Sequence, residues 1–202
     1  MENINILYID DQIDPHITKY LDSSIEITNV NISTTEYKFN IESDTYKTIL
    51  ENEEIKKADI ILIDSRLFEN SHTGASKISG EEIKIIITKF FPFKSIIVIS
   101  QNGTDKKLGI FGKYKHSEDL SSTEYYDKEW KDIIEKSIEE ILIIRNINSQ
   151  LKDNENIETI VKEKIENSLE GISQYEELSK DDIDECIKAF KEIKEICDDN
   201  GL

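Results

Sequence analysis

Apolar residues in the first 122 positions occur in short runs, separated by amphipathic or polar stretches. Runs at residues 5–10, 95–100 and within 59–67 are apolar on nearly every position, which is typical of strands buried on both faces. Residues 25–32 alternate between apolar and polar positions, and residues 108–111 form the centre of a weaker run. The pattern therefore predicts five strands in this part of the chain.

Apolar residues at helical spacing lie between these predicted strands. Residues 43–58 are predicted to form one helix, and residues 80–90 form another whose apolar face carries Ile83, Ile86, Ile87 and Phe90. Apolar strands that alternate with helices indicate a parallel sheet covered on both sides. We therefore predict an α/β domain with a doubly wound, five-stranded parallel sheet.

From residue 123 onward, apolar residues recur only at helical spacing. One long helix is predicted from Tyr126 to about Asn148, a second over residues 157–169, and a third with Ile183, Ile187, Phe190 and Ile193 on one side. No Gly-, Ser- or Pro-rich linker separates this part from the first, so we expect the two parts to pack together. The predicted organisation is an α/β domain at residues 1–122, followed by an all-α extension at residues 123–202.

The charge of the chain excludes some classes of partner. Its 25 Lys and Arg against 43 Asp and Glu give a net charge of −18, of which residues 1–122 carry 14 − 20 = −6 and residues 123–202 carry 11 − 23 = −12. Proteins that bind nucleic acids need clustered basic residues, as do proteins that dock on anionic membranes. We therefore expect neither kind of partner.

Neither the cysteines nor the hydropathy of the chain indicates export. Cys186 and Cys197 lie eleven residues apart in the third predicted helix, too far for a disulfide within a straight helix, so both are expected to be reduced thiols. No apolar run approaches the roughly 20 residues that span a bilayer, and no basic segment followed by an apolar stretch opens the chain. The expected location is the cytoplasm.

Polar residues stand where the predicted strands end. Asp10 and Asp11 end the first strand, Asp64 the third and Ser100 the fourth, while Lys113 follows the fifth. In open α/β sheets, ligands bind beyond the carboxyl ends of the strands. Three converging carboxylates favour a hard divalent cation with oxygen ligands, above all Mg²⁺. A lysine and a hydroxyl beside them suit a phosphoryl group, with Asp64 as nucleophile.

Residues 1–122 resemble the receiver domain of bacterial response regulators, which has a flavodoxin-like fold. The resemblance is carried by the acidic pair in ILYIDDQ, Asp64 in ILIDSRL, Gly80 in ISGEEI, Pro92 before SIIVIS, and the segment GKYKHSEDL. It covers about 120 of the 202 residues, and the order of the motifs is more specific than any one of them.

The resemblance implies a role for each matching residue. Asp10, Asp11 and the backbone carbonyl of Arg66 would hold Mg²⁺ together with Asp64, which would accept the phosphoryl group. Ser100 would be the hydroxyl that responds to phosphorylation, and Lys113 would pair with the phosphate. Lys113 is chosen as the phosphate partner because its distance in sequence from the closing leucine of GKYKHSEDL matches the usual spacing in the family. Lys115 is the alternative.

The same resemblance implies partners and a mode of action. A sensor histidine kinase or another phosphodonor would supply the phosphoryl group, and the helical extension would bind or release a protein. The apolar stripes of the predicted helices favour a homodimer with the long helix as its seam. The chemistry expected is receiver-type self-phosphorylation and dephosphorylation only, not turnover of a separate substrate.

Three departures from the family pattern keep two other functions open. The stretch between Asp64 and Gly80 is long, Gln101 stands where a small residue is usual, and only residues 101–107 separate the fourth strand from the fifth, so the fourth helix is short or missing. These features favour a receiver-like scaffold that works without phosphorylation. A Mg²⁺-dependent phosphohydrolase is disfavoured because Arg66 stands where such enzymes often place a second acid.

Overall fold

The protein is described by a computed structural model for residues 1–25, 27–67, 79–106, 109–116 and 119–172. Its centre is a sheet of five strands in the order β2-β1-β3-β4-β5, in which every neighbouring pair is parallel. The strands are β1 (Glu2–Asp10), β2 (Val30–Lys38), β3 (Ile60–Asp64), β4 (Ser95–Ser100) and β5 (Ile110–Gly112). This is the flavodoxin-like strand order, so the predicted fold class is confirmed.

Seven helices are present among the described residues: α1 (Pro15–Ser23), α2 (Tyr46–Glu51), α3 (Glu53–Lys57), α4 (Gly80–Phe90), α5 (Ser122–Glu129), α6 (Lys131–Lys152) and α7 (Thr159–Leu169). Successive side chains of a strand point to opposite faces. On β1, Ile6 and Tyr8 pack with α1, α5 and α6, while Leu7 and Ile9 pack with α2, α3 and α4. The sheet is therefore covered on both faces, which explains its continuous apolar runs.

The second strand is the main error of the sequence prediction. It was expected at residues 25–32 but occupies Val30–Lys38. Ile25 instead closes the end of α1, because its N–H donates to the carbonyl of Tyr20 at 3.1 Å, and Asn29 forms a turn with a φ of 67°. The strand begins only where it can pair with β1 along its whole length.

Two predicted helices are each divided at one residue. The helix expected at 43–58 is interrupted at Asn52, whose side chain accepts a hydrogen bond from the N–H of Glu54 at 2.8 Å and so begins α3. The long helix expected from Tyr126 is interrupted at Trp130, and its second part continues to Lys152. None of the residues described between β4 and β5 is helical. This agrees with the prediction that the fourth helix is short or missing.

The first helices of the extension complete the core of the sheet. Tyr126, Trp130, Ile134, Ile138 and Ile141 are buried in the same cluster as α1 and one face of the strands. The division at residue 122 stays a prediction, but α5 and α6 pack directly on the domain before it. None of the helices in the described ranges is long and apolar enough to cross a membrane. The third predicted helix, with Cys186 and Cys197, lies outside the described residues.

Candidate functional site

Four of the predicted site residues end or follow four neighbouring strands at the carboxyl edge of the sheet. Asp10 ends β1, Asp64 ends β3, Ser100 ends β4 and Lys113 follows β5. All four are buried, with exposed fractions of 1 to 5 %. Buried charged side chains are rare unless they are paired, so Asp10, Asp64 and Lys113 are expected to pair with one another.

Lys113 makes the central contacts of this group. Its Nζ lies 2.6 Å from Asp10 Oδ2 and 2.6 Å from Asp64 Oδ1. Its backbone N–H donates to the carbonyl of Ser100 at 2.9 Å, which holds the start of this segment beside β4. Lys115 is exposed, so Lys113 is the lysine that faces the two carboxylates.

Lys113 stays protonated in this setting. Burial by itself lowers the pKa of a lysine, but the charges of Asp64 and Asp10 and their hydrogen bonds outweigh this effect and raise the pKa of Lys113. A fixed positive charge therefore lies between two carboxylates at the edge of the sheet.

Asp11 lies half-buried at the rim of the same cavity. Burial raises the pKa of its carboxyl group, and the neighbouring Asp10 and Asp64 raise it further, while Lys113 lowers it. Four carboxylates, with Asp14 beside the other three, and two cationic side chains, Lys113 and Arg66, line the cavity, so it carries more negative than positive charge. An excess of carboxylate oxygens is the donor set that a hard divalent cation prefers.

In the described part of the chain, no group of three His, Cys, Asp or Glu side chains stands ready to hold a metal ion. Asp10 and Asp64 instead share the ammonium group of Lys113. Asp10, Asp11 and Asp64 nevertheless line one cavity of about 370 Å³, together with Arg66 and Gln101, and carboxylate oxygens are the donors that would suit Mg²⁺ there.

The turn after β3 is fixed by its backbone. The N–H of Arg66 donates to Asp64 Oδ2 at 2.8 Å, and the N–H of Ser65 donates to the carbonyl of Ile99 at 2.8 Å. A side chain at Gly80 would place its Cβ 2.7 Å from both the carbonyl oxygen of Asp64 and the Cα of Ser65. Gly80 is therefore required for α4 to begin against the end of β3.

Ser100 opens on a neighbouring cleft rather than on the cavity of Asp10 and Lys113. Its Oγ accepts a hydrogen bond from the N–H of Asn102 at 3.1 Å. The cleft has a volume of about 330 Å³ and is also lined by Ser65 and Arg66. Because Arg66 lines both spaces, the two openings adjoin at the end of β3.

One residue of the site was not predicted. The hydroxyl of Tyr8 donates to Asp10 Oδ2 at 2.5 Å, and the Tyr8 side chain is fully buried. Burial and the charge of Asp10 raise the pKa of this phenol above its ordinary range, so it stays protonated. The sequence contained a signal for this contact, because residues 8 and 10 of one strand lie on the same face of the sheet.

Comparisons with known proteins give a match among solved structures. No family model matches the chain, and no curated protein matches it. Among solved structures, the chain is similar to the crystal structure of a two component transcriptional regulator AraC from Clostridium phytofermentans ISDg, with 18% sequence identity and a TM-score of 0.40. The match covers 71% of this chain and 98% of that chain.

Proposed function

We propose that this protein is a receiver-like signalling protein, in which Mg²⁺-dependent phosphorylation of Asp64 controls a protein–protein interaction through the helical extension. The observation that carries the proposal is the buried bridge of Lys113 to Asp10 and Asp64 at 2.6 Å each. This bridge brings the predicted phosphate partner, a predicted metal ligand and the predicted nucleophile into direct contact at the ligand-binding edge of the sheet.

Asp64 suits the role of phosphoacceptor. A carboxylate oxygen of Asp64 attacks the phosphorus of a phosphohistidine or an acyl phosphate, and a new P–O bond forms. The P–N or P–O bond to the donor breaks, and the leaving imidazole or carboxylate keeps the electron pair. The N–H of Arg66 and the ammonium group of Lys113 hold the two oxygens of Asp64 in place.

Asp10, Asp11, Asp64 and the backbone carbonyl of Arg66 are the groups that would hold Mg²⁺. When bound, the cation neutralises charge on the phosphoryl oxygens. Lys113 supplies a second fixed positive charge to the same region, because its pKa is raised by Asp64 and Asp10. Ser100 follows Ile99, the β4 residue that pairs with Asp64, and opens on the adjoining cleft; its hydroxyl is the one proposed to bind a phosphoryl oxygen.

The contacts of β5 provide a route from the site to the extension. The residue before Lys113 is Gly112, whose carbonyl accepts a hydrogen bond from Trp130 Nε1 at 3.0 Å. The residue after it is Tyr114, whose N–H donates to the hydroxyl of Tyr126 at 3.2 Å. A displacement of Lys113 would therefore act on α5 and on the junction between α5 and α6.

The test is the intact mass of the protein after incubation with Mg²⁺ and acetyl phosphate. We expect one phosphoryl adduct that is labile to base, absent without Mg²⁺ and absent in Asp64→Asn. The matched control is Asp153→Asn, which removes an exposed carboxylate at the end of α6, away from the cavity and the Ser100 cleft, and should leave the adduct unchanged. An adduct that persists in Asp64→Asn would contradict the assignment of the phosphoacceptor.

The receiver-like scaffold is the second candidate. It is favoured by Gln101, which lines the cavity at a position where the receiver pattern has a small residue. It is also favoured by the absence of a helix among the residues described between β4 and β5. No adduct, together with no Mg²⁺ binding, would overturn the phosphorylation proposal and direct further work to this alternative. Turnover of a phosphoester would point instead to a phosphohydrolase.

The kinase or other phosphodonor, the partner of the extension, the homodimer and the cytoplasmic location all stay predictions. An adduct in the first experiment would justify a search for the phosphodonor. Analytical ultracentrifugation of the phosphorylated and unphosphorylated protein would then test whether the extension mediates a homodimer.

A further inference from the structure

Tyr8 connects the candidate cation site to the start of α1. Its side chain is 0 % exposed and lies on β1, two residues before Asp10. The hydroxyl donates to Asp10 Oδ2 at 2.5 Å and accepts a hydrogen bond from the N–H of Asp14 at 3.2 Å. The side chain of Asp14 in turn accepts from the N–H of His16 at 2.8 Å and forms the N-cap of α1.

The direction of these hydrogen bonds is fixed by the chemistry of the groups. A phenol has a single hydrogen to donate, and a backbone N–H can only donate. The hydroxyl oxygen of Tyr8 must therefore accept from Asp14, which leaves its hydrogen for Asp10. The phenol cannot turn round without losing both bonds, and a lost hydrogen bond to a buried polar group is costly.

Tyr8 and Lys113 together determine which oxygen of Asp10 stays available. Oδ2 receives the Tyr8 hydroxyl at 2.5 Å and the Lys113 ammonium at 2.6 Å, so both of its lone pairs are engaged. Oδ1 accepts the N–H of Gln12 at 3.0 Å and has a lone pair beyond that bond. Oδ1 is therefore the oxygen of Asp10 with acceptor capacity to spare.

We propose that Tyr8 is a positioning residue for the cation site: its hydroxyl holds the Asp10 carboxylate with Oδ1 toward the cavity, and it fixes the turn that carries Asp11. The inference rests on the proposed function, since it takes Asp10 and Asp11 as Mg²⁺ ligands. Groups that orient metal ligands by hydrogen bonding typically change metal affinity 10–100-fold when they are lost.

The test compares two variants that each remove one buried phenolic hydroxyl. Tyr8→Phe removes the bond to Asp10. Tyr20→Phe removes the bond of Tyr20 to Asp127 Oδ1, at 3.3 Å, in the same apolar cluster but away from the cavity. Mg²⁺ affinity is measured by calorimetric titration of the full chain, and bound Mn²⁺ is counted by electron paramagnetic resonance.

We expect Tyr8→Phe to weaken Mg²⁺ binding about 10-fold, while Tyr20→Phe stays within about twofold of wild type. Affinity that is unchanged or tighter in Tyr8→Phe would overturn the positioning role while leaving the proposed function intact. If wild type itself does not bind Mg²⁺, the proposed function and this inference both fail. The two failures are therefore distinguishable.

A measurement on the wild-type protein keeps the inference testable if Tyr8→Phe does not fold. In an isotopically labelled, assigned sample, added Mg²⁺ should shift the ring Cζ signal of Tyr8 and the amide signal of Asp14. The Cζ signal of Tyr20 should not move. A Tyr8 signal that stays constant while Mg²⁺ binds would show that the phenol is not coupled to the site.

Discussion

Lys113 and Lys94 stand at opposite ends of the same sheet and donate hydrogen bonds of nearly equal length to different kinds of acceptor. Lys113, at the carboxyl end, reaches the carboxylates of Asp10 and Asp64 at 2.6 Å each. Lys94, just before β4 at the amino end, donates to the backbone carbonyls of Lys56 and Ala58 at 2.6 and 2.7 Å. Burial lowers the pKa of Lys94 to about 8, whereas the carboxylates raise the pKa of Lys113.

The difference shows that the charge of the acceptor, and not the length of the hydrogen bond, separates a structural lysine from a candidate functional one. A carbonyl carries only a partial charge and cannot offset the desolvation of an ammonium group. Lys94 therefore serves as a cap for the last carbonyls of α3. Lys113 holds a full positive charge beside the proposed nucleophile.

The helical extension also contacts the amino end of the sheet. Arg145 of α6 contacts Asp59 Oδ1 at 2.7 Å and the carbonyl of Asn3 at 2.9 Å. Gly171, just after α7, has a φ of 80°, and a Cβ there would lie 2.1 Å from the carbonyl oxygen of Lys56. The extension is thus anchored at the end of the sheet opposite the site, while α5 meets β5 beside Lys113.

Loss of Lys113 should have the largest effect on stability. In Lys113→Met, two buried carboxylates lose their shared cation, and removal of one partner from a buried ion pair costs about 3–5 kcal/mol. We expect a loss of this size in the free energy of unfolding, measured in urea without divalent cations. Added Mg²⁺ should restore part of it, because a bound cation would again neutralise Asp10 and Asp64.

If Lys113→Met lowers the free energy of unfolding by less than about 1 kcal/mol, which is the range of exposed ion pairs, the result would contradict a buried bridge of Lys113 to the two carboxylates. The variant with Asp10→Asn and Lys113→Met together serves as the control. It removes a charge of each sign and should be more stable than Lys113→Met alone.

Loss of Lys94 should have a smaller effect of a different kind. Lys94→Met leaves two carbonyls without their donor, which costs about 1–3 kcal/mol, and Mg²⁺ should not restore it. The pKa of Lys94, about 8, lies below its ordinary 10.5, so between these pH values the unfolded chain binds more protons than the folded protein. Wild-type stability should therefore rise with pH in this window relative to Lys94→Met.

Urea unfolding of both proteins at pH 7.5 and pH 10, pH values chosen on either side of that pKa, checks this prediction. A difference between the two proteins that is constant with pH would show that Lys94 is not desolvated. Lys89→Met, at an exposed position of α4, controls for the loss of one surface charge.

Neutralisation of Asp11 should have the smallest effect on stability, and it should stabilise the protein where the other two substitutions destabilise it. Burial, together with Asp10 and Asp64, raises the pKa of the Asp11 carboxyl group in the folded protein. At pH values between the ordinary pKa of an aspartate and this raised pKa, the folded protein therefore binds more protons than the unfolded chain. Charging Asp11 therefore destabilises the cation-free protein at neutral pH. Asp11→Asn should raise stability by about 1 kcal/mol or less, because the half-buried group is partly screened.

Thermal unfolding with and without Mg²⁺ measures this effect. The gain should appear only without the cation, since a bound divalent ion would favour the charged form of Asp11 in wild type. A variant that is less stable than wild type in the absence of Mg²⁺ would show that repulsion between the carboxylates is not the dominant effect of Asp11.

The success of the strand predictions depended on how much of each strand is buried. The run that contains β3 and the run at β4 are apolar on both faces, and the structure has strands at Ile60–Asp64 and Ser95–Ser100. The edge strand β2 alternates between exposed and half-buried residues, so its hydropathy resembles that of the preceding loop. Its position is decided by pairing with β1, which no local pattern records.

The divisions at Asn52 and Trp130 show the same limit for helices. Asn52 is an ordinary N-cap residue, so its type contained a signal for the break. Trp130 is a good candidate for the apolar face of a helix, and its break accompanies a hydrogen bond from Nε1 to the carbonyl of Gly112 on β5. That partner is eighteen residues away in the chain and belongs to another element.

The hydropathy pattern alone predicted the α/β fold and put Asp10, Asp64, Ser100 and a lysine at the carboxyl ends of strands. Burial on two faces gives a strand a continuous apolar run, and the end of that run is visible as a change to polar residues. The folded protein was needed to show that Lys113 contacts both carboxylates, that Tyr8 donates to Asp10 and that Lys94 donates to backbone carbonyls. These contacts join distant segments or depend on side-chain geometry, so the packing of the sheet and its helices determines them.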